Sequence, residues 1–169
     1  GTVRAFEPDD DARNVARAKN ISDIEAGTLP GGVPFEGTDF DLIAAFDVLE
    51  HVEPARESLA ALGNRLTPDG RIVLTVPALP SLWSEHDARH HHYRRYTRNT
   101  LSETIEAAGL KLHKITYFNT VLFPVVAGVR ATKNLLGLDS AHDDRMPGGP
   151  LNTLLCTLFV AEERSLLHL

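Results

Sequence analysis

Two clusters of this sequence carry side chains suited to chemistry. The first closes the stretch FDLIAAFDVLEHVEP, residues 40–54, where a nearly unbroken apolar run stops at Asp47, and Glu50 and His51 follow before Pro54. A carboxylate pair beside an imidazole can accept and donate protons near neutral pH. The second cluster, residues 78–97, holds Trp83, His86, Asp87, His90, His91, His92, Tyr93, Arg94, Arg95 and Tyr96. Arginines suit carboxylate or phosphate groups, which their planar fork grips at two points. The four histidines beside Glu85 and Asp87 also raise the question of a metal. His86 and His90 would share a face if the segment were helical, but adjacent histidines diverge, so no metal is assigned. Trp83 and Tyr93 read as anchors of the segment.

These clusters need elements to hold them. Phe40–Phe46 has the continuous apolar character of a strand covered on both faces in a parallel sheet. In open α/β sheets ligands bind beyond the carboxyl ends of the strands, so Asp47, Glu50 and His51 mark the edge of a site. Upstream, residues 2–6 read as a strand ended by Glu7, followed by a helix capped by Asp9 or Asp10 with Ala12, Val15 and Ala16 on its apolar face. Residues 21–25 form a second short strand, and residues 27–32 a turn-rich connection. After Pro54 a helix places Leu59, Leu62 and Leu66 on one face. Residues 67–70, TPDG, then stop and turn the chain, and residues 71–76 form another strand.

Residues 78–97 interrupt this alternation and are long for a connection, as functional lids are. A capping box at Thr100 and Glu103 opens a helix with Leu101, Ile105 and Ala108 inward, Gly109 ends it, and residues 110–118 read as a strand. Residues 121–138 are apolar but broken by Pro124, two glycines, Arg130 and Lys133. They read as a helix packed on the domain, with a peripheral lipid-facing surface as the alternative. Residues 140–150 form a linker and 151–167 a final amphipathic helix. Strand and helix alternate, which predicts an α/β, doubly wound, mostly parallel sheet.

The 169 residues, 43% of them hydrophobic, suffice for one domain with a real core. A formal net charge of -6 supplies no general attraction for a phosphate backbone, so nucleic acid is not expected as a partner. The single cysteine, Cys156, excludes an internal disulfide and reads as a small buried apolar residue in a reducing, cytoplasmic setting. The N-terminal residues GTVRAFEPDDD do not form a secretory leader.

Glu7 at a strand end, then FDLIAAFDVLEHV, then LTPDGRIVLTVPA resemble, across residues 2–118, the class I S-adenosylmethionine-dependent methyltransferases. The segment LWSEHDARHHHYRRYT is similar to one in a bacterial subgroup related to the quinone-type O-methyltransferases. The resemblance implies a Rossmann-like sheet with S-adenosylmethionine over the carboxyl ends of its first strands. The expected division is a cofactor-side core over 1–77, a substrate loop over 78–97, the rest of the core over 98–138, a linker over 139–150 and a terminal helix over 151–169. The family's glycine-rich strand exit falls about twenty residues before the acidic ribose-binding residue, ahead of Gly1, and its last strand after Leu169. The chain is therefore expected to be incomplete at both ends.

On this resemblance Glu7 either accepts the two ribose hydroxyls or caps the next helix. Gly27, Thr28 and Leu29 stand where the adenine is contacted, although the family often has an acidic residue in place of Thr28; a plain turn is the alternative. Phe46 and Asp47 follow as cofactor residues, Asp47 facing the cationic amino group or the sulfonium. The sulfonium methyl is already activated, so holding the acceptor in line matters most, and a base is needed only for a poor nucleophile. For a hydroxyl acceptor the first candidate is His86 with Asp87, and His51 is the second. Trp83, His91, His92, Arg94, Arg95 and Tyr96 fall on the substrate side. The expected function is methyl transfer from S-adenosylmethionine to a small molecule, on oxygen. The alternatives are a scaffold that kept the fold, or a metal-dependent hydrolase built on the histidine segment.

Overall fold

The computed structural model describes residues 1–120, 123, 124, 128, 132 and 149–167. They fall into two compact units. One takes in Gly1–Pro77 and His92–Leu112, the other Ala78–His91 and His113–Leu169.

The first unit alternates strand and helix: β1 (Ala5–Glu7), α1 (Asp10–Ala18), β2 (Ile24–Ala26), β3 (Phe40–Phe46), a 3₁₀ turn at Leu49–His51, α2 (Ala55–Gly63), β4 (Leu66–Thr75) and, after the excursion of residues 78–91, α4 (Arg98–Ala107). β1 pairs with β2 and β3 with β4, both parallel, which bears out the mixed α/β class. Among the described residues the pairs form two separate sheets.

Local chemistry explains most boundaries. The Asp9 carboxylate accepts the Ala12 N–H at 2.8 Å and caps α1, as expected. The face of α1 differs from expectation: Val15 is exposed, Ala16 half-buried, and the buried residue is Arg13. Its guanidinium donates to the carbonyls of Glu7 and Pro8 at the exit of β1 and to Asp10, so a charged side chain is buried with its donors satisfied. The second strand begins three residues later than the pattern suggests, with Ile24 carrying its burial.

The stretch TPDG is a bulge inside a strand. Phe40 pairs with Leu66 and Leu42 with Arg71, so β4 carries three extra residues at that point and then resumes. Gly70 is required there, because a Cβ would stand 2.7 Å from the Phe40 carbonyl oxygen. Leu66 accordingly belongs to β4. In α2 the inward residues are Ala55, Ser58, Leu59 and Leu62, and Gly63 lets Leu110 approach. Leu49, Leu59, Leu62, Leu101 and Ile105 belong to the core, with Ile24, Phe35, Ala55 and Tyr96. Leu42, Phe46 and Val73 on the strands are exposed among the described residues.

The capping box of α4 lies one turn earlier than Thr100 and Glu103. Thr97 is extended, its hydroxyl accepts the Thr100 N–H at 3.1 Å, and the Thr100 hydroxyl accepts the Thr97 N–H at 2.9 Å. Leu101 and Ile105 face inward as expected, and Gly109 ends the helix at φ +78°. Residues 110–118 form no strand, for none of the other described segments pairs with them.

In the second unit a 3₁₀ turn at Pro80–Leu82 precedes α3 (Glu85–Arg89), and α5 spans Gly149–Leu167. Glu162 of α5 is buried and accepts the Thr120 N–H at 2.7 Å. Leu154, Phe159 and Val160 are exposed. Cys156 is exposed too, against expectation, since α5 turns it outward beside Leu155 and Phe159 along a shallow apolar groove. The apolar segment 121–138 and the linker 140–150 lie largely outside the described residues. Among those described, no helix is long and apolar enough to cross a membrane.

Candidate functional site

The strand exits of the first unit carry the residues expected to meet a cofactor. Glu7 ends β1, and its Oε1 accepts the Asp9 N–H at 3.0 Å. The cap of α1 is Asp9 and not Glu7, which instead anchors the backbone of that capping residue, and a carboxylate with about four lone-pair sites retains capacity for hydroxyl donors. After β2, Gly27 is buried. A Cβ there would stand 2.7 Å from Pro34 Cδ and 2.9 Å from both the Gly32 oxygen and Phe6 Cδ2, so the protein's own packing demands this glycine. Thr28 and Gly32 exchange backbone hydrogen bonds at 3.0 and 2.9 Å, closing a turn that leaves Thr28 exposed and Leu29 half-buried.

At the exit of β3, Phe46 is 60% exposed, a large apolar side chain left open at a strand end. Asp47 follows in the left-handed region at φ +52°, which aspartate tolerates better than most residues. Its N–H is shared between the Thr75 carbonyl at 3.0 Å and the Thr75 hydroxyl at 3.1 Å, and that hydroxyl donates to Asp47 Oδ1 at 3.1 Å. Thr75, which ends β4 beside Phe46, thus fixes the direction of the Asp47 carboxylate. Nothing in the sequence marked it except its place at the neighbouring strand's end.

Beyond Asp47 the chain makes the 3₁₀ turn Leu49–His51, burying Leu49 and Glu50 and exposing His51. The returning segment after residue 91 lies against this turn. The Tyr93 N–H donates to the Glu50 carbonyl and Arg94 Nη2 to the Glu53 carbonyl, both at 2.8 Å. His92 is thereby brought to His51, their rings 4.6 Å apart and edge to face at 84°. His91 stands at φ +57° in the bend that precedes His92. Two expected site residues from distant parts of the sequence, one assigned to catalysis and one to substrate, are neighbours, and Glu50 joins them from below.

The remaining substrate-side residues are spread out. Trp83 is 42% exposed after its 3₁₀ turn, and Arg95 is half-buried. Tyr96 is buried at 3% exposure, its N–H bonded to the Pro77 carbonyl, and its ring belongs to the core. Burial raises the pKa of its hydroxyl, opposed by the nearby Arg94 charge.

In the second unit, Asp87 is fully buried, and its Oδ2 accepts from the Ser84 N–H at 2.9 Å and the Ser84 hydroxyl at 3.2 Å. That carboxylate closes the capping box of α3, a structural duty the proton-relay reading did not foresee. The helical face anticipated for His86 and His90 exists, with ring centroids 4.2 Å apart.

Comparison with known proteins bears on what such strand exits serve. A family model described as a methyltransferase domain matches residues 2–115. A search of curated proteins finds no match. Among solved structures, an O-methyltransferase family protein from Burkholderia thailandensis superposes with a TM-score of 0.50 at 20% identity, covering 67% of this chain and 39% of its own. The YcgJ protein from Bacillus subtilis superposes at 0.55 and 18% identity, covering 82% and 68%. At these identities the likeness is one of fold, and this chain spans well under half the length of the Burkholderia protein. The family model covers the described strand exits and the histidine segment, and the chain belongs to the methyltransferase domain family.

Proposed function

We propose that this chain binds S-adenosylmethionine along the exits of β1, β2 and β3 and transfers its methyl group to the oxygen of a small molecule. The observation that carries the reading is the Asp47 exit: a left-handed aspartate whose amide and carboxylate are both tied to Thr75, beside an exposed Phe46. A strained residue held by its surroundings at the carboxyl end of a parallel strand is a characteristic of binding edges. The donor set fits the cofactor: Glu7 would take the ribose hydroxyls, Leu29 and Phe46 would flank a flat heteroaromatic ring, and Asp47 would face a cationic group. When bound, the cofactor supplies a methyl group already activated by its sulfonium.

The protein's part is then to hold the acceptor in line and, for a hydroxyl, to take up its proton. The imidazole pair His51 with His92 stands in the unit that carries the strand exits, and His86 and His90 pair within the second unit. Alanine at the member acting as base should lower turnover by roughly a hundredfold or more while leaving cofactor affinity in place. Calorimetric titration of S-adenosylmethionine and S-adenosylhomocysteine tests the cofactor assignment. Saturable binding that Glu7→Gln weakens about tenfold, or 1.4 kcal/mol, without lowering the melting temperature supports it. Glutamine keeps an acceptor for the Asp9 N–H, so that hydrogen bond survives. A folded protein that binds neither compound refutes the assignment.

A further inference from the structure

We infer that Glu50, His51 and His92 form a binding site for a divalent ion of the zinc type. One ligand atom of each lies within 4.8 Å of the others. They are a nine-tenths buried carboxylate at 1% exposure, a half-buried imidazole and an exposed one, so the pocket is closed at the Glu50 side and open at the His51 side. Zinc bound to nitrogen and oxygen at about 2.0–2.2 Å with tetrahedral angles sets its ligand atoms about 3.3 Å apart. Drawing the three together needs movements of about 1.5 Å or less. Rotation of the exposed His51 side chain supplies most of this, because no core packing confines it.

The backbone around the site is already fixed. The hydrogen bond from Tyr93 to the Glu50 carbonyl and that from Arg94 to the Glu53 carbonyl clamp the His92 segment onto the turn that carries Glu50 and His51. Two imidazoles and one carboxylate select a borderline ion such as Zn²⁺, whereas Mg²⁺ prefers oxygen ligands and water. Three protein ligands leave a fourth position for water or for an oxygen of a bound molecule. The site lies just past the β3 exit, where the acceptor of the proposed reaction would stand. With the ion bound, His51 and His92 hold metal, and the ion takes over the lowering of a hydroxyl's pKa. The binding site itself does not rest on the methyl-transfer reading.

The experiment is equilibrium dialysis of the full chain, purified without a histidine tag and treated with chelator, against ZnCl₂ and separately MgCl₂, with metal read by elemental analysis. One Zn²⁺ per chain is expected, with no stoichiometric Mg²⁺. His51→Ala and His92→Ala should each weaken zinc binding by more than the tenfold to hundredfold lost when only a ligand's hydrogen-bond partner is removed. Both replace side chains outside the buried core, and circular dichroism checks their folding. The double variant His86→Ala, His90→Ala should retain the zinc. A folded wild-type chain without stoichiometric zinc overturns the inference, as does zinc that is lost from the His86/His90 variant and kept by His51→Ala and His92→Ala. Calorimetry with S-adenosylmethionine is a separate readout, so failure of the metal site and failure of the cofactor assignment can be told apart.

Discussion

Replacing Thr75 by valine removes one hydroxyl and little volume, and it acts on the residue that aims Asp47. In the structure the Asp47 N–H is shared between the Thr75 carbonyl and the Thr75 hydroxyl, at 3.0 and 3.1 Å. Valine leaves the carbonyl bond in place, so the amide is not orphaned. What disappears is the hydroxyl donation to Asp47 Oδ1 at 3.1 Å. A bond to a charged group is worth about 1.5–3 kcal/mol when desolvated, but the Asp47 carboxylate is exposed and water can replace the donor. The stability cost should therefore lie near the neutral range, about 0.5–1.5 kcal/mol. On the proposal that Asp47 faces the cofactor's cationic group, affinity should suffer as much or more, because the carboxylate loses its fixed direction. A loss of about 1.4 kcal/mol is tenfold in Kd. Denaturant unfolding and calorimetric titration of S-adenosylhomocysteine measure the two effects, and Thr75→Ser, which restores the hydroxyl, should recover both. Wild-type affinity in a folded Thr75→Val protein would show that Asp47 needs no aiming, and the reading of the β3 exit would fall with it.

Other outcomes follow from the same geometry. Gly27→Ala should destabilise the protein by about 1–3 kcal/mol, since its methyl meets the Pro34 ring and a backbone oxygen below 3.0 Å; an unchanged denaturation midpoint contradicts that packing. Asp87→Ala should cost about 0.5–2 kcal/mol through the lost cap of α3, and the same change in turnover without loss of stability would instead return Asp87 to catalysis. Tyr96 has a raised pKa in the folded state, so between its ordinary value of 10.0 and its folded value the native chain holds a proton that the unfolded chain has released. Its contribution is present in full below pH 10 and declines as pH rises through the folded pKa; Tyr96→Phe should flatten that alkaline decline in an unfolding series.

Much of the strand-exit edge was legible in the sequence because it depends on short-range rules. An apolar run that stops at a carboxylate, an aspartate ahead of a helix and a glycine after one are local events, and β3, the Asp9 cap and the Gly109 stop appear where those rules place them. Boundaries slipped where two local rules competed. The spacing of Thr100 and Glu103 suggested the cap, but Thr97 takes it because Thr97 and Thr100 satisfy each other's N–H groups. The TPDG stretch has turn chemistry, yet β3 supplies a pairing partner on either side of it, so the turn survives only as a bulge.

Long-range facts belonged to the tertiary structure alone. No sequence rule joins His51 to His92, places Thr75 against Asp47, or explains why Arg13 is buried under α1 while Val15 is exposed. Each depends on which backbone carbonyls and strand ends meet after the chain has closed on itself, and periodicity describes only one element at a time. The sequence alone determined the strand exits and their charges. Folding decided which of those charges share a site, because backbone hydrogen bonds between residues far apart in the chain, such as that from Tyr93 to Glu50, set the distances over which their side chains act.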